Sequence, residues 1–389
     1  MNKTTSTLLL AGIFLIAGCL RVTFTGVSPL LHPIAQSFSL SDVSIGILTT
    51  LPLLAFAIIS PLSAGLAHRF GAERVLFAAL LIILLGIVCR SLGSVFTLYP
   101  GTAIIGCGIA LGNVLLPSLV KRHYPQRVAE VIGKYSLVMG LFAAAGSAAM
   151  VPLTHLGIGW TGALLTLGIF PLVALIVWLP QLKASAPAAV VAGTGNAHHL
   201  VWRSKIAWHV TLFMGSNSLI YYVIVSWLPA ILTAQGYSNE QAGSLHGLMQ
   251  LTSAIPGLLA GIALRKLKGQ QGITVILVLL CTLSLLGLLI FPGLSGLWVS
   301  LFGFSCGAVI ILGLTFIGLR SGSALQAAAL SGMAQCVGYL LAASGPPLMG
   351  KLHDLSGNWH SPLIILILLS LLMAYFGYNA AQHRALDHH

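Results

Sequence analysis

The chain has eighteen Lys and Arg but six Asp and Glu among 389 residues, so an ionised group inside an apolar run asks for a chemical reason. Arg21 poses the question most sharply. It lies near the middle of an apolar stretch from Leu8 to about Leu31. A guanidinium in hydrocarbon costs at least about 2.5–3.5 kcal/mol on insertion scales, and it does not escape by losing its proton. No long apolar run of this chain carries a carboxylate near its centre. The natural partner of Arg21 is therefore an anion, or a polarised acceptor, that arrives from outside.

Other polar residues recur at helical spacing, and residues three, four or seven apart share a helix face. Arg21 is followed by Thr25, Asn217 by Tyr221 and its neighbour Tyr222, His246 by Gln250, and Gln335 by Tyr339; Asn113 stands in another apolar run. At about 1.5 Å per residue, Arg21, Asn113, Asn217, Gln250 and Gln335 fall about halfway along their segments. With Thr25, Tyr221 and Tyr222 they form the candidate substrate-binding set. Two readings stay open for the neutral members: the amides equally serve to tie packed helices together, and Tyr221, Tyr222 and Trp227 either stack on a flat ring or fill a core. His32 and His246 are the candidates for carrying a proton near neutral pH, with a satisfied structural histidine as the competing reading. Arg90 is expected at a helix end, with its head reaching polar surroundings.

Enzymatic chemistry finds no support. There is no His-Glu-x-x-His, no Gly-x-Ser-x-Gly on a suitable turn, no phosphate-cradling loop and no central carboxylate pair. The six cysteines show no metal-ligand spacing. The expectation is a chain without catalytic residue, metal or cofactor.

The elements that must position these residues follow from composition. The chain is 57% hydrophobic and 6% charged, against about 25% charged in an average soluble domain. Long unbroken apolar runs predict membrane-crossing helices, because lipid admits only helices and closed barrels. Helices are expected at 8–33, 43–67, 74–92, 98–121, 128–152, 160–180, 206–234, 240–264, 272–291, 296–318, 325–349 and 361–379. The net charge of +12 then follows topology rather than signalling nucleic acid: Arg69, Arg74, Lys121, Arg122, Arg127, Lys183, Arg203, Lys205 and Arg320 all fall on the side of the two termini. Such asymmetry predicts cytoplasmic termini and an even number of spans. Pro29 and Pro229, late in the first and seventh helices, predict kinks.

The two halves resemble each other at an offset of about 195–200 residues. Ala35-Gln36-Ser37-Phe38-Ser39 answers to Ala234-Gln235-Gly236-Tyr237-Ser238, and Pro61, Gly65 and Ala67 answer to Pro256, Gly261 and Ala263. The longest polar break, 181–205, reads as a linker between a six-helix bundle over 1–180 and a second over 206–389. Repeats of this kind place a substrate site at their interface near mid-membrane.

With six plus six helices, a long central loop and a basic loop between the second and third helices, the chain resembles the major facilitator superfamily over its whole length. That family's loop reads Gly-x-Leu-Ala-Asp-Arg-x-Gly-Arg-Lys; Leu66, Ala67, Arg69 and Gly71 stand in register, while Ala64, His68, Ala72 and Glu73 depart from it. The resemblance implies a cytoplasmic gate at His68, Arg69 and Gly71, although His68 cannot act as a permanent anion. The stretches around Arg21, Gly112-Asn113-Val114-Leu115-Leu116-Pro117 and Gly345-Pro346-Pro347-Leu348-Met349-Gly350 are similar to the cyanate permease and 2-nitroimidazole transporter branch. The resemblance implies an all-α inner-membrane transporter of twelve helices, working by alternating access as a monomer. Its partners are a small-molecule substrate, the lipid bilayer and, as candidate coupling ion, protons. Export of 2-nitroimidazole-like compounds is the leading expectation. Uptake of cyanate-like or nitrate-like anions, and broad drug export, are the alternatives.

Overall fold

The computed structural model describes residues 3–184, 201–266, 270–322 and 324–382. The described residues are helical, in the order α1 (Lys3–Thr25), α2 (Leu31–Phe38), α3 (Asp42–Phe70), α4 (Ala72–Arg90), α5 (Val95–His123), α6 (Val128–Leu153), α7 (Gly159–Thr166), α8 (Ile169–Trp178), α9 (Lys205–Ala234), α10 (Asn239–Lys266), α11 (Gln270–Ile290), α12 (Ser295–Arg320), α13 (Ala324–Ser356) and α14 (His360–Ala380). Nine stretches of the described residues are long and apolar enough to cross a membrane. One of them, Glu130–Lys183, runs 54 residues and holds α6, α7 and α8, which is two passes. The more polar α10 and α13, at 28 and 33 residues, are long enough as well. Together these make the expected twelve-helix fold. Most of the predicted linker lies outside the described residues.

Helix ends depart from expectation where proline removes a backbone donor. The first predicted helix stops at Thr25 and resumes at Leu31 after a turn of 3₁₀ helix at Ser28–Leu30. Pro29 has no N–H for the Thr25 carbonyl. Likewise Pro171 cannot serve Leu167, and the sixth predicted helix divides there into α7 and α8. Pro229 behaves differently: α9 continues through it to Ala234. The Val225 carbonyl that Pro229 leaves without a donor takes one from His246 Nε2 at 2.9 Å.

Packing relies on close backbone approach, as expected where lipid supplies no hydrophobic drive between helices. Along α5, three glycines meet three neighbours: Gly106 faces Pro52 of α3, Gly108 faces Ala79 and Ile83 of α4, and Gly112 faces Leu20 of α1. In the second half, Gly303 and Gly307 of α12 press on the backbone of α10. The halves join along two seams, α3 with α13 and α6 with α10. Because consecutive passes alternate in direction, the start of α1, the end of α14 and the described turns after α3, α5, α8 and α12 share one end of the molecule, here the terminal end. Asp42, Arg90, Glu240 and Asp354 lie toward the far end.

A Cβ at position 307 would stand 2.1 Å from the Ser253 carbonyl oxygen, a backbone atom that cannot swing aside. Gly307→Ala is expected to cost about 1–3 kcal/mol, read as a lowered unfolding temperature of the purified protein.

Candidate functional site

Arg21 sits one turn before the end of α1 and reaches out of its own half. Its Nε and Nη2 donate to Gln250 Oε1 of α10 at 3.2 and 2.9 Å, and Nη2 also donates to the Tyr221 hydroxyl of α9. The Tyr221 hydroxyl in turn donates to the same Gln250 oxygen at 2.7 Å. The guanidinium carbon lies 5.2 Å from the centre of the Tyr221 ring. Among the described residues no carboxylate pairs with Arg21. Its charge is met by dipoles and a π face, not by a counter-charge. The Gln250 amide points its oxygen at the guanidinium, so its NH₂ group faces away, buried and without a partner among the described residues. Buried donors are nearly always bonded, so this one is available to an acceptor that the protein does not itself provide.

A chain of rings crosses the seam beside this network. Phe24 of α1 lies 6.2 Å from Phe56 of α3 and 5.5 Å, edge-on, from Tyr222 of α9. Tyr222 contacts Tyr221 at 5.5 Å, and Phe56 meets Tyr339 of α13 at 5.3 Å. The two halves thus share a site with one cation, free amide hydrogens and aromatic walls. Phe24 and Phe56 were invisible in the sequence, since an aromatic residue in an apolar helix carries no signal. Tyr339 could be found from its place four residues after Gln335.

The remaining candidates divide. Asn113 is half-buried, and Gly112 beside it packs on Leu20, the neighbour of Arg21. Gln335 is exposed and donates only to Ser331 of its own helix. The Thr25 hydroxyl is buried and spent on the Arg21 carbonyl, the ordinary fate of a helical threonine. Asn217 donates to the Cys306 carbonyl of α12 at 3.3 Å, inside its own half, leaving its buried oxygen without a partner among the described residues. His246 has both ring nitrogens engaged. Its Nε2 must be the donor, because the Val225 carbonyl only accepts, and its Nδ1 lies 2.9 Å from the Ser147 hydroxyl of α6. Both nitrogens repair or join backbone and seam, which is structural work. His32 pairs with Gln36 one turn along its helix and lines a separate far-end cleft.

At the expected gate, Gly71 takes φ 87° between α3 and α4, a conformation that favours glycine. Arg69 lies over the Phe70 ring, and the His68 side chain falls outside what is described. Glu73, which departs from the family loop, pairs with Arg122 and stands 3.7 Å from His123 Nε2. This charge cluster ties α4 to α5 within one half.

Arg90 is a correction. It does not reach solvent at a helix end but is 1% exposed. A Cβ at Gly101 would stand 2.4 Å from the Arg90 nitrogen, so α5 packs directly on its backbone. The side chain turns inward to the Thr23 carbonyl, which the early end of α1 leaves without an intrahelical partner. A cation at a helix C-terminus gains up to about 2 kcal/mol, less than the several kcal/mol that burying an ion costs.

The far end of the seam is closed. Thr50 donates to the Ala343 carbonyl at 2.6 Å, Gly46 abuts Pro346 and Pro347, and Gly243 and Gly247 abut the backbone of α6. Asp42 pairs with His353, whose ring stacks on Trp359 at 4.1 Å. Asp354 accepts the first-turn amides of Asp42 and Val43 at 3.4 and 3.3 Å, capping α3 from the opposite half. These three side chains offer ligand atoms within 4.8 Å of one another, but their oxygens are spent on closure. Toward the terminal end the α3–α13 seam parts: Pro61 and Gly332 are exposed, and a Cβ at Gly65 or Gly332 would touch nothing. Removing the cross-half cap with Asp354→Ala is expected to weaken the start of α3 by about 1 kcal/mol, seen as about fivefold faster amide exchange over 42–46. Unchanged exchange would mean the cap does not hold the far end shut.

The Major Facilitator Superfamily model matches residues 13–343. The chain is 58% identical over 378 residues to the 2-nitroimidazole transporter of Escherichia coli, covering 97% of this chain and 96% of that one. It is 26% identical over 342 residues to the E. coli cyanate transport protein, covering 87% and 88%. Among solved structures, a bacterial homolog of the human lysosomal transporter Spinster, inward-facing and occupied, superimposes with a TM-score of 0.79 at 18% identity, over 98% and 97% of the two chains. The family model spans most of the chain and the 58% identical relative nearly all of it, so the chain belongs to the major facilitator superfamily of membrane transporters.

Proposed function

We propose that the chain is a secondary active transporter of a small anionic or weakly acidic planar compound, and that it exports 2-nitroimidazole-like compounds. The observation that carries this reading is the Arg21 guanidinium, held by neutral groups of the opposite half and walled by rings. A planar compound with a delocalised negative charge meets both features: the charge replaces the missing counter-ion and the ring lies among Phe24, Tyr222 and Tyr339. The compound for which the E. coli relative is named agrees with that chemistry. Cyanate-like uptake uses the cation but not the aromatic walls, and a broad drug exporter uses the walls but not the cation.

In this reading 1–180 and 206–389 are the two bodies that rock about the site, joined by 181–205. In the described arrangement the far end is closed and the α3–α13 seam parts toward the terminal end, while the α6–α10 seam stays in contact there, Gly133 against Gly257. The basic residues gathered there support a cytoplasmic position for that end and for both termini, and the reading is of a monomer in the bacterial inner membrane. Of the two candidate histidines, His32 is the exposed one and is the reading's proton carrier.

Arg21→Gln removes a charged hydrogen-bonding group and is expected to lower 2-nitroimidazole transport in proteoliposomes about tenfold to hundredfold while the protein stays folded. Full transport by that variant refutes the reading. Gln250→Glu places a resident carboxylate where the amide oxygen now sits, 2.9 Å from Nη2. Thermal stability should hold or rise, and 2-nitroimidazole binding should fall about tenfold or more, about 1.4 kcal/mol. A drug exporter blind to the cation would instead bind neutral cargo as before.

A further inference from the structure

Arg90 has more charge than its partners account for. Its Nη1 and Nη2 reach one carbonyl, Thr23, at 3.4 and 3.5 Å, and its Nε has no partner among the described residues. No described carboxylate pairs with it. A small cavity opens against this guanidinium, lined also by Thr23, Phe24, Ser28, Thr49 and, from the opposite half, Ser226. It has room for about one water-sized group in this state. The hydroxyls of Thr49 and Ser226 are spent on carbonyls of their own helices. The buried Ser28 hydroxyl makes no hydrogen bond among the described residues and can donate one.

Position along the molecule gives the cavity its meaning. Phe24, on its wall, belongs to the aromatic chain beside Arg21. On the other side, Ser28 and Ser226 also line the far-end cleft that holds His32 and Asp42. The Arg90 cavity is thus the stage between the central site and the far opening. Because its walls come from both halves, a rocking motion that parts the far end widens it.

We propose that Arg90 and Ser28 form a second anion subsite on the transport path, taking a monovalent anion of cyanate size or the charged group of a larger cargo. An anion leaving Arg21 for the far side meets a second guanidinium on the way, so it is not stranded without a partner. This inference rests on the anion reading of the Arg21 site.

The test is the stoichiometry of cyanate binding to the full-length purified protein, measured calorimetrically in chloride-free buffer, with competition by chloride and by 2-nitroimidazole. The parent is expected to bind two cyanate ions per chain, and Arg21→Gln and Arg90→Gln one each. Displacement of the Arg90-dependent ion by 2-nitroimidazole marks it as a cargo stage, whereas displacement by chloride alone marks a resident inorganic anion, which overturns the transport role. A parent stoichiometry of one, lost in Arg21→Gln and kept in Arg90→Gln, overturns the subsite and leaves the central reading standing. Two ions in Arg21→Gln and one in Arg90→Gln do the reverse. Should Arg90→Gln fail to fold, Ser28→Ala answers in its place: the second site is expected to weaken at least about tenfold with the first unchanged, whereas an Arg90 that only caps α1 gives one ion in both parent and variant.

Discussion

The structure turns on a guanidinium from one half that has neutral partners in the other. Arg21 holds Gln250 and Tyr221 across the seam, and those contacts do two things at once. They solvate a charge that lipid would reject, and they join two halves that, in the proposed reading, separate as access alternates. In that reading a cargo anion that takes the guanidinium competes with the groups that bridge the halves. Binding and rearrangement therefore draw on one set of hydrogen bonds, and a ligand shifts a conformational equilibrium only through such differential contacts.

Around that point the seam is built from backbone rather than from side-chain bulk. Glycines bring α5, α10 and α12 into direct contact with their neighbours. Prolines create orphan carbonyls, and the groups that repair them are informative. His246 serves the carbonyl freed by Pro229 and touches α6 as it does so. Arg90 serves the end of α1 that Pro29 helps to break. In both places a residue that looked available for proton or solvent chemistry is held by a gap in a helix. The far-end closure has the same character, since Asp354 caps a helix of the opposite half.

Some of the site was legible in the sequence because a polar residue in an apolar helix must be accounted for. Arg21, Gln250, Tyr221 and Tyr222 come together as their helix faces implied. Thr25 and Asn217 obeyed the same pattern but spend their bonds within one helix or one half, a distinction that spacing along a single helix cannot make. Phe24 and Phe56 gave no signal, because they differ from their apolar neighbours only in what they face. Arg90 was misplaced because a helix end was taken to be a solvent-exposed end. It is buried because α1 breaks beside it and Gly101 lets α5 close over its backbone.

By itself the sequence determined the class of the protein: length of apolar runs, absence of central carboxylates, the one-sided distribution of basic residues and the repeated halves follow from how lipid treats backbone and charge, and they hold whatever the packing. The tertiary structure alone decided which polar groups remain unspent. That depends on which carbonyls proline orphans, which glycines admit a neighbouring helix and which side chains meet across the seam, all of which are relations between segments some 200 residues apart.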